Sequence, residues 1–244
     1  MASNPPGACC VQGTYHEGDA IGKHQDLFGL ETYLVGEEQN DKIIVILTDI
    51  YGHHFKNVLL IADEISKKGY KVLVPDILNG DPVKSFDELQ DWLVHHGPET
   101  TSPIVDSFLQ KVKTELKPKF LGGIGYCFGA KYAVQNLSTQ GYLDAAAIAH
   151  PSFITIDEVK KITKPIIISA AEIDPIFTTE LRHKTEAELA KLKNVRYQID
   201  LFHGVAHGYA VRGDIKEPLV RYSKEKTLID QLYFFDSVSN LSKL

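Results

Sequence analysis

The 244-residue sequence predicts an α/β fold: a mostly parallel, doubly wound sheet flanked by helices. Three observations predict it. Short apolar runs alternate with longer amphipathic stretches. Several of the short runs are almost continuously apolar, as strands covered on both faces must be. Helix-end signals fall in the stretches between them. The length suits one such domain over residues 1–244, with enough chain to bury a continuous core.

The elements follow in order. Residues 43–47, 72–74, 120–124, 145–149, 166–169 and 195–201 read as core strands. Residues 8–15 and 30–35 precede the first crossover and are expected to pair as an antiparallel edge hairpin. The first helix begins near Phe55 and stops at Gly69, a residue suited to the left-handed turn after a helix. Ser85-Phe86-Asp87-Glu88 and Thr155-Ile156-Asp157-Glu158 match the capping box, in which hydroxyl and carboxylate satisfy orphan N–H groups. Ser102 before Pro103 reads as a helix start running toward Leu116. Residues 178–192 and 218–235 supply the last two helices.

A net charge of −6, with the basic residues dispersed, gives no footprint for nucleic acid or an anionic membrane surface. No apolar run approaches the roughly 20 residues of a membrane span. The first ten residues have neither the basic start nor the apolar stretch of a secretory signal, which places the chain in the cytoplasm. Three cysteines do not make a disulfide framework. Cys9 and Cys10 are expected to pack in the first strand, with no second pair to complete a zinc site. Oligomeric state is left open between monomer and homodimer.

The chemistry concentrates where the strand at 120–124 runs into Gly125-Tyr126-Cys127-Phe128-Gly129, followed by a helix-compatible stretch. This is a G-x-S-x-G nucleophile elbow with cysteine replacing serine, and it points to an α/β-hydrolase fold. The nucleophile sits on a strained strand-to-helix turn, where side chains two residues to either side would collide. The helix that follows turns its N–H groups toward the site, favouring a thiolate and a developing oxyanion. The alternative is a buried structural cysteine beside a tight turn.

The order nucleophile, acid, histidine then selects partners. Asp174 lies just past the strand at 166–169, with Glu172 as the nearer rival, and reach onto the loop favours Asp174. His207, between Ala206 and Gly208, follows the last strand, with His203 as its rival. His203-x-x-x-His207 has metal-pair spacing, but Gly204 and Gly208 argue against the helix such a pair needs, and no metal is expected. His53-His54 and His95-His96 read as loop or helix-end residues with no third ligand. In the loop Thr48-Asp49-Ile50-Tyr51-Gly52, the Ile50 N–H is the expected partner of the Phe128 N–H in an oxyanion hole. Asp49 either caps a turn or faces the Cys127 thiol.

Together these segments resemble the dienelactone hydrolase family of α/β-hydrolases, and within it the fungal cytosolic members. The motifs are Thr48-Asp49-Ile50-Tyr51-Gly52, Gly69-Tyr70 before Val74-Pro75-Asp76, the cysteine elbow, Asp174, His207-Gly208-Tyr209, and Pro6-Gly7-Ala8-Cys9-Cys10 at the start. The resemblance implies an eight-stranded core, no cofactor, and hydrolysis of a small ester or lactone through a thioester at Cys127. It also marks departures. Bacterial members carry glutamate where Asp49 stands, and an arginine in the stretch that here reads Asp76-Ile77-Leu78-Asn79-Gly80-Asp81. Arg212 resembles their second arginine. With Tyr51 it is the candidate substrate-binding residue, at the pocket rim or else on the surface beside Asp214 or Glu217.

Two functions are therefore expected to compete. The first is a small-ester or lactone hydrolase using Cys127, His207 and Asp174. The second is a non-catalytic or redox-sensing binding protein that keeps the fold and an oxidisable thiolate.

Overall fold

The computed structural model describes residues 1–239. Eight strands form one sheet: β1 (Lys23–Leu27), β2 (Leu30–Val35), β3 (Lys42–Leu47), β4 (Lys71–Pro75), β5 (Phe120–Tyr126), β6 (Ala145–Ala149), β7 (Ile166–Ile173) and β8 (Tyr197–Ala206). Their order across the sheet is β1-β2-β4-β3-β5-β6-β7-β8. β1 and β2 are antiparallel, as are β2 and β4; from β4 across to β8 every neighbouring pair is parallel.

The unbroken apolar runs follow from two covered faces. Ile43, Val45 and Leu47 of β3 enter one core layer with Leu121, Ile148 and Ile168, while Ile44 and Ile46 enter the other with Ile124 and Ile167. Each such side chain, removed from water, contributes roughly 1.5–3 kcal/mol. The first layer is closed by α2 (Leu89–His95), α3 (Pro98–Lys111), α4 (Phe128–Gln135), α5 (Ile156–Lys160) and α6 (Thr179–Leu189), through residues such as Trp92, Phe108, Tyr132, Val159 and Leu189. The second is closed by α1 (Lys56–Ser66), α7 (Tyr209–Arg212) and α8 (Pro218–Ser239), through Val58, Ile65, Val211 and Phe235.

Four local expectations are corrected. Residues 8–15 are not a strand: Ala8–Val11 form a 3₁₀ turn. The hairpin partner of β2 is β1, joined to it by Phe28 and Gly29, both at positive φ (61° and 87°), the geometry of a tight two-residue hairpin turn. The sequence Lys-His-Gln-Asp-Leu of β1 carries no alternating apolar signal because it is an exposed sheet edge, where polar residues block further pairing. The helix expected from Ser102 starts at Pro98, and Pro103 lies inside it. Two prolines compete for the first helical position, and the earlier one, after Gly97, takes it. Ser85 and Glu88 make no capping box: α2 starts at Leu89, and Glu88, its N-cap, makes no side-chain cap bond. The Thr155–Glu158 box is present in both directions, and Gly69 sits at φ 86° after α1.

Candidate active site

Cys127 is the one residue between the end of β5 and the start of α4, and it is held at φ 49°, ψ −107°. A non-glycine residue in that region carries local strain, sustained only by the surrounding structure. The flanking glycines are required by crowding. A Cβ on Gly125 would lie 2.6 Å from Ala130 Cα, and one on Gly129 would lie 2.0 Å from the Leu47 carbonyl oxygen.

Asp174 follows β7, and its Oδ1 accepts hydrogen bonds from the Ile176 and Phe177 N–H groups at 2.8 and 3.0 Å. Two backbone donors fix the carboxylate before it meets any partner. His207 follows β8, its N–H bonded to the Ile173 carbonyl. Its Nδ1 lies 3.0 and 2.9 Å from the two Asp174 oxygens, and its Nε2 lies 3.2 Å from Cys127 Sγ. The side chains of Asp174 and His207 are fully buried. The rival residues lie apart. Exposed Glu172 accepts from the Gly204 N–H and pairs with His203, both at 2.8 Å.

Electrostatics complete the contact. Burial opposes the Cys127 thiolate, but the Cys10 thiol against it and the His207 charge outweigh burial and hold Cys127 well below the usual thiol range. Burial likewise opposes a charged His207, yet the thiolate and Asp174 push it up to about 10. Both shifts favour thiolate and imidazolium at this contact.

Three neighbours escaped the sequence reading. Cys10 Sγ lies 3.4 Å from both Cys127 Sγ and His207 Nε2, so the N-terminal segment is laid across the reactive pair instead of forming an edge strand. The Cys9-Cys10 doublet was the available signal. His150, just past β6 at φ 38°, packs its ring 5.0 Å from that of His207. Burial lowers it to about 4, so it is neutral, and neither ring nitrogen has a hydrogen-bond partner among the described residues. Ser152 Oγ stands 3.8 Å from the Cys127 sulfur.

The loop after β3 brings Ile50, fully buried, and Asp49 to the same end of the sheet. Among the described residues, neither the Ile50 nor the Phe128 N–H donates to another backbone carbonyl, which leaves both available to an oxyanion. Asp49 both caps the turn, through the Tyr51 N–H at 3.0 Å, and forms a buried ion pair with Arg212. Burial raises the Asp49 carboxyl, and the charge of the always-protonated Arg212 guanidinium opposes that rise. Arg212 is thus neither on the rim nor on the surface. It is 2% exposed, its Nε donates to the Gln12 carbonyl, its Nη2 has no partner among the described residues, and the Tyr51 ring lies 5.6 Å from the guanidinium. His53 and His54 also differ from expectation, because β1 brings His24 beside them as a third potential ligand.

A strand–cysteine–helix elbow, an acid after β7 and a histidine after β8, on an eight-stranded sheet of this order, define an α/β-hydrolase. The model of the dienelactone hydrolase family matches residues 30–239. Hydrolase pyvD of Aspergillus violaceofuscus is 39% identical over 243 residues, covering 97% of this chain and 98% of its own. Dienlactone hydrolase 1 of Gibberella moniliformis is 30% identical over 241 residues, covering 93% and 91%. A dienelactone hydrolase structure from Anabaena variabilis superposes with a TM-score of 0.61 at 11% identity, over 84% of this chain and 92% of that one. The chain belongs to the dienelactone hydrolase family.

Proposed function

We propose that this hydrolase opens a small carboxylic ester or lactone through a thioester on Cys127. Membership of the dienelactone hydrolase family supports a carboxylic ester or lactone hydrolase acting on a small molecule. The observation that carries the mechanism is His207, bridging Asp174 at 2.9 Å and Cys127 Sγ at 3.2 Å. The thiolate attacks the carbonyl carbon, and the N–H groups of Ile50 and Phe128 take the oxyanion. Protonated His207 gives its proton to the leaving alkoxide. Neutral His207 then takes a proton from water, which attacks the thioester, and the thiolate leaves as the acid forms. Asp174 fixes the imidazole tautomer throughout. Cys127 is fully buried with Cys10 against its sulfur, so substrate access requires the site to open locally.

Arg212 and Tyr51 are the proposed substrate contacts. The free Nη2 suits one oxygen of a substrate carboxylate. The test is a panel of short acyl esters and lactones, neutral and acidic, against wild type, Cys127→Ala and His207→Ala. The expected result is turnover by wild type and a loss of at least about 10³-fold in both variants. Equal activity in Cys127→Ala contradicts the mechanism.

A redox-sensing reading draws support from the 3.4 Å separation of Cys10 and Cys127 sulfurs. A hydroperoxide would oxidise the Cys127 thiolate to a sulfenic acid, and Cys10 would displace water to form a disulfide. Loss of two hydrogens by intact mass after peroxide, reversed by a dithiol and absent in Cys10→Ala, supports it. An unchanged mass removes it.

A further inference from the structure

Away from the triad, the β1–β2 hairpin meets the loop that links β3 to α1. The ligand nitrogens of His24, on β1, and of His53 and His54, in the loop, all lie within 4.8 Å of one another. Glu31 of β2 completes the group: its Oε2 is 3.1 Å from His53 Nε2 and 3.0 Å from His54 Nε2. On the other side of His53, Asp76 Oδ1 faces Nδ1 at 3.5 Å. Asp76 is itself fixed, accepting from the Leu78 N–H at 2.9 Å and the Gly80 N–H at 2.5 Å.

His53 therefore has a carboxylate oxygen at each ring nitrogen. A neutral imidazole carries a single N–H, so one of those two contacts sets a lone pair against an oxygen unless a second positive particle lies between them. A proton can serve, and the two carboxylates do raise His53 above its usual range against the effect of burial. A metal ion serves equally well and engages more of the group. Tetrahedral zinc, at about 2.0–2.1 Å from each donor, holds its ligand atoms roughly 3.3 Å apart, close to the spacing between Glu31 Oε2 and the two imidazole nitrogens. The carboxylate behind His53 Nδ1 is the outer partner that metal-bound histidines use to fix ring and tautomer. Ion access is open, because the side chain of His54 is 60% exposed and that of Glu31 52%, whereas His53 is anchored at 5%.

We propose that His24, His53, His54 and Glu31 form a site for a divalent transition ion of the zinc class, with Asp76 orienting His53. Imidazole nitrogens and one carboxylate suit zinc, nickel or copper better than magnesium or calcium. Bound there, the ion would tie the hairpin to the loop that carries Ile50 and Tyr51, joining an exposed sheet edge to the proposed oxyanion donor at Ile50. The binding itself does not depend on the chemistry at Cys127.

The rival acceptor is the thiol group Cys9, Cys10 and His207, whose ligand atoms also lie within 4.8 Å of one another. The experiment is a calorimetric titration of the reduced protein with Zn²⁺, repeated on His24→Ala, His54→Ala and Cys9→Ser, with Co²⁺ absorption spectra of each. The expected result is one ion per chain, at least tenfold weaker binding in either histidine variant, and no change in Cys9→Ser. The Co²⁺ spectrum should show visible ligand-field bands without an intense sulfur charge-transfer band. No saturable one-to-one binding overturns the proposal. So does binding that both histidine variants leave intact, or a sulfur charge-transfer band lost in Cys9→Ser, which assigns the ion to the thiols.

Discussion

At Cys127, burial alone would favour the neutral thiol, and its neighbours reverse that preference. Cys10 is one of them. Its own thiol is pushed up by its hydrogen bonds to Cys127 and Cys9 and by burial, which favours the protonated form that donates to the thiolate. Removing that donor raises the Cys127 pKa, so Cys10→Ala should move the acid limb of the kcat/KM profile to higher pH. One hydrogen bond of roughly 0.5–1.5 kcal/mol corresponds to about one pH unit or less. An acid limb that stays in place, measured across the pH range on one ester, contradicts this role. The contact joins residues 117 positions apart and has no local sequence signal. Asp174 and His207 were legible because the fold prescribes where they sit relative to the elbow. The Asp49–Arg212 pair was legible only as two separate candidates, since neither local sequence names its partner.

At the scale of elements, the elbow depends on close approach of backbone to backbone. Gly129 is not at positive φ, so Gly129→Ala isolates crowding against the Leu47 carbonyl oxygen. Gly69→Ala is the complementary case, with φ 86° and open space around the added methyl. The expected losses in denaturant melts are about 1 kcal/mol at Gly69 and more than roughly 3 kcal/mol at Gly129, with activity lost only there. Equal, small losses at both positions would show that the elbow tolerates a side chain. Buried strands were readable because two covered faces make them apolar at every position. β1 was not, since an edge strand has no such requirement, and the start of α3 was masked by the second proline.

Across the whole molecule, the second core layer carries a charge that no local pattern announced. Lys224 of α8 is half-buried beside a cavity of about 200 Å³ that also meets Tyr126 and Leu228. Its Nζ donates to the Ala210 carbonyl at 2.8 Å, and burial lowers it to about 7. The unfolded chain, with an ordinary lysine near 10.4, binds this proton first as pH falls. Stability therefore declines as pH drops from about 10 to about 7, and levels off once the folded form is protonated too. Lys224→Met should be more stable than wild type at pH 7, with the advantage shrinking toward pH 10. A difference in melting temperature that is the same at both pH values contradicts this. The layered architecture was legible from apolar runs and their spacing. The N-terminal strap over Cys127 was not, because its hydrogen bonds go to loops at residues 154 and 176 and to the end of α7 at residue 212, far along the chain.

The central claim, a thioester on Cys127, is tested most directly by acid-quenching the reduced wild-type enzyme within its first turnover of an activated short-chain ester. Intact mass and peptide mapping then locate any acyl group. The prediction is one acyl unit on the peptide containing Cys127, sensitive to hydroxylamine, decaying as free acid appears, and absent in Cys127→Ala. Acid release at the wild-type rate in Cys127→Ala, with no acyl group on Cys127 in the wild type at any time, would contradict it.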